Sequence, residues 1–311
     1  MSFSKTLLLT GGSGMVGSNI KEQLLGTDWT VLAPSHAELD LLDSLAVKDY
    51  VKTSQADIII HAAGIVGGIQ ANINNPVAFL DKNISIGRNI IMAAFEAGIE
   101  RFINLASTCV YPRHAQNPLT EEMILTGELE PTNEGYAIAK IMALKLCQYI
   151  NREEERARFK TIIPCNLYGR FDAFDPKRSH LIPAIIHKVH QAKMENSPTV
   201  EIWGDGEARR EFMYAGDLAE MLQQAMENFE TVPDLMNAGL GYDFSINEYY
   251  AAAAEIIGWE GDFTHDLSKP VGMRQKLASD EKQVIWGWEP KTQLVDGLQK
   301  TYDFYLETLS K

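Results

Sequence analysis

The chain has 311 residues, of which 45% are apolar, and it carries a formal net charge of -14 at pH 7. This length and apolar content suffice for one large α/β domain or two smaller ones, and they exclude a disordered chain. The acidic balance excludes a protein that owes its affinity to neutralising nucleic-acid phosphates, since that requires a basic surface. A small phosphorylated ligand stays compatible if local cations or backbone N–H groups meet its charge.

The cysteines and the apolar runs predict where the protein works. Cys109, Cys147 and Cys165 form neither a CxxC pair nor a metal-ligand spacing, so we expect reduced thiols and no metal site. The N-terminal apolar run is too short for a signal peptide, and no run approaches the roughly 20 residues of a membrane span. We therefore expect a cytoplasmic protein that binds neither a membrane nor a nucleic acid.

The first half of the chain predicts alternating strands and helices. A buried strand at 6–10 leads through a glycine turn into a helix at 15–25. Further strands are predicted at 30–33, 57–61, 101–106 and 161–164, and further helices at 76–98 and 133–152. This alternation predicts an α/β fold with a Rossmann-type doubly wound parallel sheet, which binds its ligands at the carboxyl ends of the strands.

The alternation weakens beyond residue 168, where proline, glycine and charged residues become frequent. We expect residues 1–168 to form a dinucleotide-binding domain and residues 169–311 to form mainly a smaller C-terminal α/β substrate domain. Segments near 212–218 and 235–240 are expected to return to the first domain.

A glycine-rich turn follows the first predicted strand. Glycines permit a tight turn and a close approach of the backbone to a pyrophosphate, while the helix N-terminus supplies N–H donors. A turn without a ligand would have the same composition, but the position between a strand and a helix favours dinucleotide binding. The residues are Gly11, Gly12, Ser13, Gly14, Met15, Val16 and Gly17.

The segment after the second strand bears on the choice of cofactor. An acid that would hold the ribose 2′-hydroxyl of NAD is absent from residues 33–36, whereas Ser13, Ser35 and His36 can donate to a 2′-phosphate. We therefore expect NADP(H) in preference to NAD(H). The stretch from Asp40 to Asp43 lies near the adenine or forms a capped turn, and the sequence leaves both interpretations open.

Three residues form a predicted proton-transfer set. Tyr136 and Lys140 are one helical turn apart, and Ser107 directly follows the strand that precedes their helix. A tyrosine ionises near pH ~10, so a lysine charge is expected to lower its pKa for proton exchange at neutrality. This set predicts the reduction of a carbonyl group.

The chain resembles the extended short-chain dehydrogenase/reductase superfamily through the glycine turn, Ser107, Tyr136 and Lys140. Longer motifs resemble the GDP-L-fucose synthase family, which epimerises and reduces GDP-4-keto-6-deoxy-D-mannose to GDP-L-fucose with NADPH. The motifs span nearly the whole chain: VGGI at 66–69, STCVYP at 107–112, LEPTNEGYAIAK at 129–140, PCNLYG at 164–169, SHLIPA at 179–184 and WGDGEARREF at 203–212.

The resemblance implies an acid–base pair for epimerisation, Cys109 and His180. The alternative interpretations are a buried thiol for Cys109 and a helix-capping or core histidine for His180. It further implies cofactor contacts from Leu105, Ala106, Ser107, Thr108, Lys140, Pro164, Cys165, Asn166, Leu167 and His180. The GDP-linked substrate is expected at Lys188, Trp203 and Arg210, with Arg209 and Arg274 as further candidates, and family members form homodimers.

Two departures from the family pattern concern the sugar. Lys188 stands where arginine is usual, which replaces a bidentate fork by a point charge, and Val271 replaces an expected aspartate. The alternatives are therefore a relative acting on another GDP-4-keto sugar, such as a heptose or a 3,6-dideoxyhexose, or a reductase alone. A non-catalytic NADP-binding protein is a third reading, although all proton-transfer residues are present.

Overall fold

Helices and strands largely alternate in the first half of the molecule, and most strands are shorter in the second. The computed structural model describes residues 5–175, 179–269 and 273–310. The elements of the first half are β1 Lys5–Thr10, α1 Met15–Gln23, β2 Trp29–Leu32, α2 Ser44–Ser54, β3 Ile58–His61, α3 Ile69–Asn74, α4 Pro76–Glu96, β4 Arg101–Leu105, α5 Glu134–Glu153 and β5 Arg158–Pro164. Those that follow are β6 Asn166–Tyr168, α6 Leu181–Met194, β7 Thr199–Trp203, β8 Arg209–Arg210, β9 Phe212–Tyr214, α7 Ala215–Glu227, β10 Leu235–Ala238, β11 Phe244–Ser245, α8 Ile246–Ile257, β12 Asp262–Asp266, β13 Gln275–Lys276, α9 Glu281–Trp286 and α10 Leu294–Leu309.

A parallel sheet organises the larger part of the chain, in the order β10-β5-β4-β3-β1-β2. The chain moves from β1 outward to β2 and then returns to the other side of β1 for β3. The order therefore reverses between β1 and β3, which is where a doubly wound sheet opens a crevice for its ligand. The predicted fold class is confirmed.

Apolar layers cover both faces of this sheet. Side chains of β1 alternate between them, because successive residues of a strand point to opposite faces: Leu7 and Leu9 pack with α1 and α7, and Leu8 packs with α2, α4 and α5. All three leucines are fully buried, and burial of each contributes about 1.5–3 kcal/mol. Burial on both faces explains why this strand has no polar alternation.

The second half of the chain builds a separate apolar cluster around α6, α8 and α10. Helix α8 has a local reason to begin and end where it does: Ser245 and Glu248 form a capping box, and Gly258 ends the helix in the left-handed conformation. Segments from this half also reach the main sheet, since β10 pairs with β5 and α7 packs on α1. The division into two domains at residue 168 stays a prediction. Across the described ranges, no helix combines the length and apolarity that crossing a bilayer would take.

Candidate active site

The carboxyl ends of β1, β3, β4 and β5 lie at one edge of the main sheet. The parallel register brings Thr10, His61 and Leu105 to this edge, and β4 continues directly into Ser107. Thr10 Oγ1 lies 2.7 Å from His61 Nδ1, and burial lowers the pKa of His61 to about 3, so its imidazole is neutral. Buried polar side chains, Thr10 and His61, therefore lie at this edge next to the loops that carry the predicted site residues.

The glycine turn leaves no room for side chains on its inner face. Gly11 has φ +77°, and a Cβ on Gly17 would lie 2.2 Å from the Gly11 oxygen. A Cβ on Gly12 would lie 2.7 Å from Ala33 Cβ. Gly14 precedes α1, and no side chain caps the helix there. The N–H groups of the first turn, including those of Met15 and Val16, are thus open to a pyrophosphate, and the turn fits a dinucleotide.

The adenosine end contains a carboxylate that the reasoning on residues 33–36 missed. Ser35 and His36 are exposed there, but the Ser35 N–H donates to Glu38 Oε2 at 2.7 Å, and this contact lowers the pKa of Glu38. His36 Nδ1 lies 3.8 Å from Asp40. Asp43 accepts hydrogen bonds from the N–H groups of residues 45 and 46 at the start of α2, which favours the capped-turn interpretation of 40–43.

The predicted nicotinamide-side residues lie at the ends of β4 and β5 and at the start of β6. Most are held by backbone hydrogen bonds: the Ala106 N–H donates to the Ile162 oxygen, and the Cys165 N–H donates to the Ala238 oxygen. Asn166 Nδ2 donates to the Glu211 oxygen at 3.0 Å. Their predicted cofactor contacts stay predictions: Leu105, Ala106, Thr108, Pro164, Cys165, Asn166 and Leu167.

Helix α5 brings Tyr136 and Lys140 together. Lys140 is 8% exposed, and its Nζ donates to the Leu105 oxygen at 2.8 Å. The same Nζ lies 5.7 Å from the centroid of the Tyr136 ring. Burial lowers the pKa of Lys140 to about 8, because the apolar surroundings disfavour the ammonium. The structure thus connects the strand end that precedes Ser107 with the helix that carries the phenol.

The expectation that the Lys140 charge lowers the pKa of Tyr136 is wrong. Burial raises the pKa of Tyr136, and a negative charge on Cys109 would raise it further. The desolvation of the phenolate outweighs the attraction of an ammonium that is itself shared with a backbone carbonyl. Tyr136 is therefore held as a protonated phenol, which is the form that can donate a proton to a developing alkoxide.

Ser107 and Cys109 lie in one tight turn. Ser107 precedes a 3₁₀ turn at Thr108–Val110, and its Oγ accepts a hydrogen bond from the Cys109 N–H at 3.4 Å. Cys109 is 4% exposed, and burial raises the pKa of its thiol. The positive charge of Lys140 acts against this increase. Cys109 is therefore both a buried thiol and an electrostatic neighbour of the Tyr136–Lys140 pair.

His180 is the residue immediately before α6. It is exposed to solvent, and its side chain makes no capping hydrogen bond to the helix. The helix-capping interpretation of this side chain is thus not supported. Although the residue is exposed overall, the groups packed around its ring desolvate the imidazolium and lower the pKa of His180 below the ordinary 6.5, so the neutral imidazole predominates at neutral pH. Cys109 is therefore a neutral thiol and His180 a neutral imidazole at neutral pH.

The predicted nucleotide-binding residues lie on α6, β7 and β8. Lys188 donates from Nζ to the Glu201 oxygen of β7, and partial burial lowers the pKa of this lysine. Trp203 ends β7 with 59% of its surface exposed, and Lys269 Nζ lies 5.5 Å from its ring centroid. Arg210 is half-buried on β8. An exposed indole beside a cation can stack on a base or a sugar.

The two further arginine candidates differ in their surroundings. Arg209 Nε donates to Asp243 Oδ1 at 2.6 Å, and its guanidinium also lies 3.5 Å from Glu248, so its charge is already compensated. Arg274 is exposed. Val271 lies outside the described residues.

One cation near Cys109 was missed by the sequence reasoning. Lys276 lies on β13, and its positive charge counteracts the effect of burial on the Cys109 thiol. Lys276 is far along the chain from the STCVYP motif that contains Cys109, so no sequence spacing connects the two residues. Among the described residues, no group of three or more His, Cys, Asp or Glu side chains is arranged to hold a metal ion.

Comparison with known proteins places these features in a family. The profile of the NAD dependent epimerase/dehydratase family matches residues 7–239. The GDP-L-colitose synthase of Yersinia pseudotuberculosis is 51% identical over 96% of this chain and 97% of its own length. The GDP-L-fucose synthase of Azorhizobium caulinodans is 46% identical over 98% of each chain.

A solved structure supports the same relationship. The structure of the GDP-mannoheptose C4 reductase from Campylobacter jejuni with NADP bound superposes with a TM-score of 0.89 over 98% of this chain and 99% of that one. Its sequence is 28% identical.

Proposed function

The chain belongs to the NAD dependent epimerase/dehydratase family, and we propose that it is an NADPH-dependent epimerase/reductase of a GDP-linked 4-keto-3,6-dideoxyhexose. At the coarser level it is an NAD(P)-dependent oxidoreductase related to GDP-sugar epimerases and reductases. One observation carries the finer proposal: a chain 51% identical to a GDP-L-colitose synthase keeps Cys109 beside the Tyr136–Lys140 pair.

GDP-L-fucose formation from GDP-4-keto-6-deoxy-D-mannose is the second candidate. The sequence motifs favoured it, and the 46% identical GDP-L-fucose synthase keeps it in consideration. The relatives nevertheless favour the 3,6-dideoxy alternative. The two candidates differ chemically, because a 3-deoxy sugar has no stereocentre at C3 and only C5 requires inversion.

Epimerisation needs a base and an acid on opposite faces of the sugar. A proton beside the C4 ketone is acidic, because the electron pair it leaves forms the C=C bond of an enolate whose charge lies on the ketone oxygen. The Cys109 thiolate takes this proton, and the imidazolium of His180 returns a proton to the other face. Transfer of one proton from the Cys109 thiol to the His180 imidazole creates the thiolate and the imidazolium. The reactive pair therefore binds the same total number of protons as the neutral thiol and imidazole.

Reduction uses the second set of residues. NADPH supplies the hydride for C4 when it is bound in the glycine turn. Tyr136 donates its proton to the alkoxide oxygen, and Ser107 donates a hydrogen bond to the same oxygen. The raised pKa of Tyr136 keeps the phenol protonated until the alkoxide develops. Lys140 then provides a positive charge close to the phenolate that remains.

The preference for NADPH over NADH is part of the proposal. It is supported by the donors Ser35 and His36 and by the NADP-bound relative. Glu38 opposes it, because its carboxylate accepts from the Ser35 N–H that a 2′-phosphate would use. A higher kcat/KM for NADH than for NADPH would contradict this preference.

Product analysis in deuterated water tests the reaction. We expect incubation with NADPH and a GDP-4-keto-3,6-dideoxyhexose to give a C4 alcohol that carries deuterium at C5, as read by NMR. The kcat/KM should exceed that for GDP-4-keto-6-deoxy-D-mannose. A preference for the latter favours the fucose reaction, reduction without deuterium at C5 indicates a reductase alone, and cofactor binding without turnover indicates a non-catalytic protein.

Two variants separate the partial reactions. Tyr136→Phe removes the proton donor of the reduction, so C4 reduction should be abolished while C5 exchange persists. Cys109→Ser weakens the base, so C5 exchange should fall more than hydride transfer to a sugar that is already inverted. Equal losses of both reactions in the two variants would contradict this division of roles.

We also propose a homodimer, as the family resemblance implies. Val77 on α4 and Tyr149 on α5 are large side chains with 76% and 51% of their surface exposed, and they lie on two helices that pack together. Sedimentation equilibrium is expected to give twice the chain mass of 34.7 kDa. A single species of the chain mass at micromolar concentration would contradict the dimer.

A further inference from the structure

Lys276 acts electrostatically on Cys109 although it belongs to a distant part of the chain. Strand β13 pairs in parallel with β8, which places Lys276 opposite Arg210. The two groups influence each other: the lysine charge lowers the pKa of the thiol, and a charge on the thiol raises the pKa of the lysine. Burial acts in the opposite direction on both.

The backbone on both sides of Lys276 is tied to the segment that follows Cys109. Asn117 Oδ1 accepts from the Leu277 N–H at 2.8 Å, and Asn117 Nδ2 donates to the Gln275 oxygen at 3.4 Å. The Leu119 N–H donates to the Leu277 oxygen at 2.8 Å. The strand of Lys276 is therefore fixed by hydrogen bonds to residues 117–119, and Leu119 belongs to the same buried cluster as Cys109.

A buried carboxylate makes a second connection. Glu211, which is 1% exposed, follows Arg210 and accepts from the Ala278 N–H at 2.9 Å and from the Leu240 N–H at 2.5 Å. Burial raises its pKa to about 7. Glu211 thus connects β8, the end of β10 and the strand of Lys276. Its carboxylate is already hydrogen-bonded by backbone N–H groups and does not depend on the ammonium of Lys276 for a partner.

The charged neighbours of the pair come from several elements. Tyr136 and Lys140 face Cys109 from α5, and Lys140 already donates to the Leu105 oxygen. Arg210 faces Lys276 from β8 and disfavours its charge, whereas Glu130 favours it. The charge of Lys276 lowers the pKa of the Cys109 thiol more than the charge of Lys140 does.

We propose that Lys276 is a positioning residue of the epimerase site, and that its ammonium stabilises the thiolate of Cys109 during proton abstraction from the sugar. The inference rests on the proposed epimerase function. When the thiolate takes the proton beside the C4 ketone, the C–H electron pair moves into the enolate and the sulfur becomes neutral. Lys276 forms and breaks no covalent bond. It lowers the cost of holding a buried anion before this step.

The test measures the ionisation of the thiol and the exchange reaction separately. Absorbance of the thiolate near ~240 nm is recorded against pH for the full-length protein, and the Cys109→Ser spectrum is subtracted in each background to isolate this sulfur. Exchange at C5 is followed in deuterated water with NADP present. Binding of GDP alone is measured by calorimetry to detect a direct phosphate contact.

Lys276→Met should move the Cys109 titration to higher pH and slow C5 exchange at pH 7.5 on the order of tenfold, as expected for loss of one nearby opposite charge. Lys276→Arg should restore most of both. The matched control is Lys48→Met, which removes an exposed lysine paired with Glu96 at 2.6 Å, far along the chain from the site. It should change neither.

The outcomes distinguish this inference from the proposed function. An unchanged Cys109 titration in a folded Lys276→Met protein overturns the inference, and weaker GDP binding with that unchanged titration assigns Lys276 to the phosphates instead. Absence of C5 exchange in the wild-type protein contradicts the proposed function and the catalytic part of the inference with it. If Lys276→Met fails to fold, unchanged titration and exchange in Lys276→Gln would overturn the inference.

Discussion

Replacing Lys140 by methionine should stabilise the protein at pH 7 while it abolishes reduction. Burial lowers the pKa of Lys140 from 10.5 to about 8, so the folded state holds this charge at a cost. At roughly 1.4 kcal/mol per pH unit, the cost is about 3 kcal/mol. The substitution loses the hydrogen bond to the Leu105 oxygen, worth about 1–2 kcal/mol. The net gain expected for Lys140→Met is therefore about 1–2 kcal/mol.

The dependence on pH separates this effect from packing. Between pH 8 and 10.5 the folded protein binds fewer protons at Lys140 than the unfolded chain, so wild-type stability rises through this window. The advantage of Lys140→Met should therefore be full below pH 8, shrink as pH rises, and reverse near pH 10.5, where only the lost hydrogen bond remains. A packing effect would not change with pH.

Urea unfolding followed by tryptophan fluorescence, without cofactor, measures the difference at pH 7, 8, 9 and 10. Lys48→Met is the control, because its exposed ion pair raises the lysine pKa and so predicts the opposite sign. Its effect should stay nearly constant from pH 7 to pH 10, since Lys48 is largely protonated in both the folded and the unfolded chain over this range. The reasoning is refuted if Lys140→Met is less stable than wild type at pH 7. A stability difference that stays constant from pH 7 to pH 10 would refute it as well.

Further predictions concern the cofactor turn and the pH profiles. Gly17→Ala should weaken NADPH binding at least about tenfold, because a Cβ at 2.2 Å from the Gly11 oxygen must displace α1 from the turn. Glu38→Gln should lower the Kd for NADPH and leave that for NADH unchanged, since it removes a charge but keeps an acceptor for the Ser35 N–H. Exchange at C5 should show no inflection near neutral pH, because desolvation lowers the pKa of His180 and raises that of Cys109. The kcat/KM for NADPH should fall above about pH 8, as Lys140 loses its charge.

The first three of these have a matched control or a contrary outcome. Gly87→Ala places its Cβ at an ordinary 3.4 Å from Ala143 and should not affect NADPH binding. Equal effects of Glu38→Gln on both cofactors, measured by fluorescence titration, would show that Glu38 does not face the 2′ position. An inflection of C5 exchange near neutrality would contradict the shared-proton description of Cys109 and His180.

The sequence by itself determined those site features whose residues are only a few positions apart in the chain. The turn from Gly11 to Gly17 requires glycines at fixed intervals between a strand and a helix, and the Tyr136–Lys140 spacing is one helical turn. The alternating pattern of the first half likewise predicted the parallel sheet, because strands buried on both faces have a distinctive apolar composition. Helix ends were displaced by one or two residues, as at Gly98, where the helix ends at Glu96.

The tertiary structure alone decided the electrostatics of the site. The pKa of Tyr136 is raised and that of Lys140 is lowered because both side chains are buried, which no local spacing reveals. The neutralisation of Arg209 by Asp243 and the approach of Lys276 to Cys109 depend on strands that are far apart in the chain. Spacing therefore specified which groups can react, and packing specified their charge and their neighbours.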